Sequence, residues 1–328
     1  MKRLLTRLNI DTYIILLASM VLLASILPAR GIGATVAGIC ADAGIFALFF
    51  LHGARLSRQA VVDGARHWRL HLTVAAMTFV IFPLCGIAIR AIPHLDPAIG
   101  TGMLFLTLLP STVQSSIAFT AMARGNVAAA VCSASFSNLA GIFITPLLVA
   151  LLITGKQGGF SVDAVMTIVF QLLLPFLAGH FLRPWIAEWI ARRKTMLMVV
   201  DRGSILLVVY TAFSAAVVEG LWARISLAYF GTVALLSAIL LTIVLLLSRE
   251  VGRWFGFSRE DSIVLQFCGS KKSLASGVPM AGVLFTAPQI GVVILPLMFF
   301  HQFQLMICAV LARRYAAAIE REEIATAG

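Results

Sequence analysis

Asp261–Phe285 reads DSIVLQFCGSKKSLASGVPMAGVLF. Its flanks are apolar enough for hydrocarbon, yet two adjacent lysines, Lys271 and Lys272, stand in its middle among Gly269, Gly277 and Pro279. A charge at mid-bilayer costs at least about 2.5–3.5 kcal/mol on insertion scales. Lys271 lies ten residues beyond Asp261, which is about 15 Å of helix and half a bilayer. Snorkelling from there is difficult, so at least one lysine needs a cavity, a partner charge or a substrate. Proline removes a backbone donor and glycine permits unusual dihedrals. The segment therefore reads as a membrane helix broken at a polar point.

A second stretch has the same character. Gly100–Gly125 reads GTGMLFLTLLPSTVQSSIAFTAMARG, with Pro110 at its centre and five Ser, Thr or Gln among the next six residues. Around these two lie eight further apolar runs, so the ten runs fall near 11–28, 33–53, 69–92, 98–123, 127–153, 162–182, 197–218, 226–248, 261–286 and 288–312. About 20 apolar residues cross the hydrocarbon as a helix. Split five and five, the runs form a repeat over 11–153 and another over 162–312, followed by a short tail over 315–328 that reads as a frayed helix end. An odd number of spans per half inverts the second half. The interrupted runs are the fourth of each half, which points to a substrate site near the midplane of an inverted-repeat transporter. Plain kinks are the alternative, but the symmetry and the polar clusters favour a site.

Composition agrees. Of 328 residues 60% are hydrophobic and 12% charged, with a mean hydropathy of +0.99. A soluble domain is about a quarter charged, so the values exclude a cytosolic enzyme and a disordered chain. The net charge of +11 does not imply nucleic acid, because the basic residues fall between the apolar runs. With an inside N-terminus, 19 of the 25 Lys and Arg lie in inside segments and only Arg30, Arg90, Lys156 and Arg224 in outside ones. That bias places both termini in the cytoplasm, in the inner membrane for a Gram-negative source.

The pathway residues predicted on the first broken run are Ser111, Thr112, Gln114, Ser115, Ser116 and Thr120. Ser270, Lys271, Lys272 and Ser273 are their counterparts on the second, and Asn138 of the fifth run completes the polar cavity. Asp42 is the one acid deep in a run, a candidate charge or proton partner for a lysine, or a group lining a wet crevice. His180, His301, Gln302 and Gln304 read as interhelical hydrogen-bonding groups. Five separated cysteines form no CxxC pair, so neither a disulfide nor a metal site is expected. No nucleotide or hydrolase motif appears, so no cofactor is expected and an enzyme is disfavoured.

Pro110–Ser116, Ala123–Asn126 and the stretch to Thr145-Pro146 resemble the bile acid:sodium symporter superfamily. FFLHGARLSRQAV with HWRLHL, and HQFQLMICAVLARRY near the end, are similar to its bacterial SBF-like branch, which includes the solute carrier 10 member seven group. The resemblance covers nearly the whole chain. It implies panel and core subdomains, crossing fourth and ninth helices, and alternating access for an organic anion.

The departures concern sodium. The family's Pro-Gly-Gly…Ser-Asn becomes Pro110-Ser111-Thr112, with Ser116 or Ile117 at the Asn position; Ala130 and Ala134 replace hydroxyls; Glu-x-Gly-x-Gln-Asn becomes Phe267-Cys268-Gly269-Ser270-Lys271-Lys272. The side chains of phenylalanine, alanine and lysine offer a sodium ion no oxygen ligand. A lysine ammonium standing in as a tethered cation, exchanging a proton, or pairing with an anionic substrate are the three resulting readings. The expectation is an all-α transporter of an anionic or amphipathic molecule, sodium-independent or proton-coupled. A sodium symporter with rearranged sites, a regulatory membrane protein with little flux, and an intramembrane enzyme using Asp42 with Lys271 are the alternatives.

Overall fold

The computed structural model describes residues 12–55, 67–154, 169–220, 222 and 226–327. Among these residues there are helices and no strands. In chain order the helices are α1 (Thr12–Ile26), α2 (Ile32–Arg55), α3 (Trp68–Arg90, with a π turn at Met77–Ile81), α4 (Pro97–Leu108), α5 (Gln114–Met122) and α6 (Val127–Val149, running into a π turn at Ala150–Thr154). Then come α7 (Leu174–Arg192, entered through a π turn at Val169–Leu173), α8 (Lys194–Val218), α9 (Leu227–Trp254), α10 (Arg259–Gly269), α11 (Leu274–Leu284) and α12 (Ala287–Ala327). The first part of the sixth run, and Lys2, Arg3, Arg7, Arg58, Arg66, Lys156 and Arg224, lie outside the described residues.

Six of the helical stretches are long and apolar enough to cross a membrane, and α4 and part of α1 are shorter apolar helices. Their outward faces carry bare hydrocarbon: Ile32 is 84% exposed and Leu227 88%. Such faces suit lipid and not water. The helix starts follow local chemistry. Asp96 before Pro97 caps α4 by accepting from the Ala98 amide, and Ser226 and Ser258 cap α9 and α10. Asn126 caps α6 through its carbonyl and spends its amide on Asp261 of α10, 2.9 Å away. The helices fall into two groups. α2 packs on α7 and α8, and α1 on α8; α3, α6, α9 and α12 surround the two interrupted segments, α4 with α5 and α10 with α11.

The tail differs from its expectation. Instead of fraying after Tyr315, α12 runs on as one helix to Ala327. Glu323 accepts from Arg124 at 2.8 Å and Glu322 from Arg259 at 2.5 Å. These ion pairs tie the acidic end of α12 to the loop after α5 and to the start of α10.

Candidate functional site: the crossing of two broken segments

The fourth and ninth runs are each two helices, α4 with α5 and α10 with α11, and their non-helical joints meet. The amide of Ser273 donates to the Pro110 carbonyl at 2.9 Å. Ser111 Oγ donates to the Cys268 carbonyl at 2.6 Å, and Ser116 Oγ to that of Phe267 at 2.9 Å. A helix leaves its last carbonyls unsatisfied. Here hydroxyls from one broken segment satisfy the end of α10. Small residues admit this closeness: a Cβ on Gly141 would stand 2.6 Å from Pro110 Cβ, and one on Gly277 2.4 Å from Leu109 Cδ1.

Both joints are held from outside by side-chain amides. Gln304 of α12 accepts from the Lys272 amide at 2.9 Å and donates to the Lys272 carbonyl at 3.0 Å. Its amide also donates to His301 Nδ1 at 2.8 Å. On α6, Ser137 Oγ accepts from the Ser111 amide at 3.0 Å, and Asn138 donates to the Ser111 carbonyl at 2.7 Å. Asn138 then accepts from Ser276 Oγ at 2.9 Å. Thus Ser111 and Lys272 each have both main-chain groups paired, as a buried backbone must.

Neither lysine reaches an interface: both are fully buried. Their side chains diverge to different partners. Lys272 Nζ donates to the carbonyls of Thr78 at 2.8 Å, Thr107 at 2.8 Å and Leu109 at 2.7 Å, and lies 4.1 Å from the Phe82 ring centre. Three donors meet three acceptors, so this ammonium is saturated. Two of the acceptors close the C-terminal end of α4, where the helix dipole favours a cation. The third sits in the π turn of α3, a distortion frequent at functional positions. Lys271 Nζ donates to the Ser115 carbonyl at 2.9 Å and lies 4.0 Å from the Phe119 ring and 5.3 Å from that of Phe267. Cation–π attraction supplements its one carbonyl. Ala130 and Ala134 are buried in an apolar cluster with Val264, Leu265 and Cys268. No group of three His, Cys, Asp or Glu capable of holding a metal occurs among the described residues.

The remaining predicted residues separate. Thr112 Oγ1 bonds to Ser115 Oγ at 2.8 Å, Ser270 Oγ to the Gln266 carbonyl at 2.5 Å, and Ser273 caps α11 by accepting from the Ser276 amide at 3.1 Å. Thr120 is buried with its hydroxyl unpartnered among the described residues, and Gln114 is exposed. Asp42 joins neither lysine.

Beside the crossing lies a cavity of about 170 Å³. Leu48, Phe49, His52 and Arg55 of α2 and Phe176 of α7 form one wall; Val113, Ser135, Asn138, Leu139, Ile142, Ser276 and Met280 form the other. Arg55 pairs with Asp201 Oδ2 at 2.5 Å. Asn138 is the one predicted pathway residue that lines this cavity. The α2 wall went unrecognised in the sequence; Leu48, His52 and Arg55 at helical spacing were its only signal. A second cavity of about 310 Å³ lies between α2, α8 and the α11–α12 turn, and Asp42 lines it. Ile45 and Val208 border the second cavity, Leu48 and Met280 the first, and all four are at most 2% exposed.

A model of the SBF-like CPA transporter family matches residues 11–317. The chain is 56% identical over 312 residues to an uncharacterized Pseudomonas aeruginosa protein, PA2026, covering 93% of each chain. It is 50% identical over 314 residues, 95% of each chain, to YfeH of Escherichia coli strain K12, provisionally named a symporter. Sodium/bile acid cotransporter 7 of Xenopus tropicalis is 27% identical over 280 residues, 81% of this chain and 79% of that one.

Proposed function

Because the chain belongs to the SBF-like CPA transporter family, we propose that it is a sodium-independent secondary transporter of an organic anion, in which fixed lysines do the structural work of a bound cation. It is a transporter and not an enzyme. The observation that carries the reading is the Lys272 ammonium, held by three main-chain carbonyls at the crossing with no exposure to solvent. A ring of carbonyls closing a half-helix C-terminus is the setting in which transporters hold a monovalent cation. With the cation tethered, the crossing keeps its geometry without an ion gradient. Lys272 is saturated by backbone, so the direct lysine–substrate pairing is the weaker reading.

In this scheme the chain crosses the membrane ten times as two inverted five-span repeats, 11–153 and 162–312, with both termini in the cytoplasm. The supports in the two halves correspond: Ser137 and Asn138 of the fifth span brace the Ser111 peptide, and Gln304 of the tenth braces that of Lys272. α1, α2, α7 and α8 then form the panel and the rest the core. The two cavities lie on either side of one apolar layer at the panel–core boundary, as alternating access requires. The first cavity suits an amphipathic anion. Its walls are largely apolar, Asn138 and Ser276 supply polar contacts, and Arg55, which an anion would share with Asp201, supplies a guanidinium.

The names of the family's eukaryotic relatives favour a second reading, sodium coupling through rearranged ligands. One experiment separates the two. Purified protein is screened against metabolite pools for thermal stabilisation in sodium and in choline buffer, since a ligand that binds the folded state raises stability by mass action. Hits are then tested for counterflow in liposomes. The proposal expects anionic hits with equal shifts in both buffers and sodium-independent counterflow. Hits or counterflow that require sodium contradict it.

A further inference from the structure

The second cavity contains the acid that the crossing does not use. Asp42 lies on α2 facing a space of about 310 Å³ bounded by small residues such as Ala34, Gly38, Ala212 and Gly282. Its walls carry two hydroxyls. Thr211 Oγ1 is spent on the carbonyls of Leu207 and Val208. Ser214 is 1% exposed, and its Oγ has no hydrogen-bond partner among the described residues. The residues that line the cavity from α8, α11 and α12 include no other ionisable group. Arg30, beside the lining residue Ala29, is the charge next to its mouth in sequence. Among the described residues no cation pairs with Asp42.

We infer that Asp42 and Ser214 form a proton-binding site, and that Asp42 takes up one proton when this cavity closes and releases it when the cavity opens. An ionised carboxylate without a partner is tolerated in a wet cavity and is expensive in a dry one. A Cβ on Gly282 would stand 3.2 Å from Ile45 and 3.3 Å from Val208, so α11 already packs closely on α2 and α8 at this wall, and the cavity closes by narrowing its open side, where Asp42 is exposed. Closure therefore favours the carboxylic acid. The acid's new hydrogen and the orphaned Ser214 hydroxyl supply one donor and one acceptor to each other or to a trapped water. The lysines have no such need, since main-chain carbonyls and rings already accept them. The inference rests on the transporter reading for the meaning of closure, but not for the existence of the site.

The test reads the site without any transported substrate. Dicyclohexylcarbodiimide adds to a protonated carboxyl in an apolar setting, giving an O-acylisourea that rearranges to a stable N-acylurea. Reconstituted wild-type protein is treated with it across a pH series and digested, and adducts are located by mass. The expected result is modification at Asp42 above that at Asp201 or Asp261, falling about tenfold per pH unit above its titration midpoint. Indicator-dye titration should show D42N binding one proton fewer than wild type. Equal labelling of the three aspartates, or identical proton counts in wild type and D42N, overturns the proton site. Labelling at Asp42 in a protein that later shows no flux would instead remove the transport reading and leave this one standing.

Discussion

Lys272→Met removes the ammonium and keeps most of the volume. The wild-type Nζ makes three charge-assisted bonds, to Thr78, Thr107 and Leu109. Each such bond is worth roughly 1.5–3 kcal/mol net, and each orphaned acceptor costs about 1–3 kcal/mol. Against this stands the desolvation that a buried ammonium pays, several kcal/mol. Since the carbonyls stay behind with nothing to accept, the loss should resemble other broken buried pairs, about 3–5 kcal/mol. At about 2–4 °C per kcal/mol, that lowers the melting temperature by roughly 6–20 °C. Lys272→Ala goes further by opening a carbonyl-lined space of monovalent-cation character. It should melt lower than wild type in choline buffer and regain part of the loss in sodium, following the mass-action dependence on free ion. Fluorescence-detected size exclusion after heating, in matched choline and sodium buffers, reads all three proteins. Wild-type stability should be the same in both. A Lys272→Met protein as stable as wild type would refute the reasoning, because the ammonium would then be a spectator.

Other positions give sharper local tests. Gln304→Leu strands both the amide and the carbonyl of Lys272 and should cost about 2–4 kcal/mol, read as a lower melting temperature in the same assay. Asn138→Leu removes contacts to Ser111 and Ser276 and faces the first cavity; it should abolish stabilisation by any anionic hit besides lowering stability by about 1–3 kcal/mol. Arg55→Gln should weaken anion binding at least tenfold in ligand-induced melting shifts while changing basal stability by less than about 1 kcal/mol, as its pair with Asp201 is partly solvated. Gly141→Val drives a side chain into Pro110 and should cost about 1–3 kcal/mol or more, seen as reduced yield of monodisperse protein.

The breaks were legible because they violate a pattern. Pro110 and the run Gly269–Ser273 interrupt strong apolar periodicity, and the cost of two lysines at that depth demands partners. What satisfies those lysines was not legible. The acceptors are the carbonyls of Thr78, Thr107 and Leu109, a group every residue possesses, and only the fold says which carbonyls converge. Adjacency did not say where either lysine goes; the fold sends Lys271 to α5 and Lys272 to α3 and α4. Arg55 registered only as a basic residue near the end of a span, since charge bias reports the side of the membrane and not the direction of a side chain. Asp42 stood out by type, but its distance from the lysines depends on how α2 packs on α8. The tail looked frayed because alanine and glutamate carry no packing signal, while the arginines that hold it, Arg124 and Arg259, lie far away in sequence.

The central claim, that a tethered ammonium has replaced a mobile metal ion at the crossing, is most directly tested by equilibrium binding of radioactive sodium to the purified wild-type protein, with Lys272→Ala measured alongside. The account predicts no saturable, specific binding to wild type and the appearance of weak specific binding in Lys272→Ala. Saturable binding of sodium to the wild-type protein at a stoichiometry near one would contradict it.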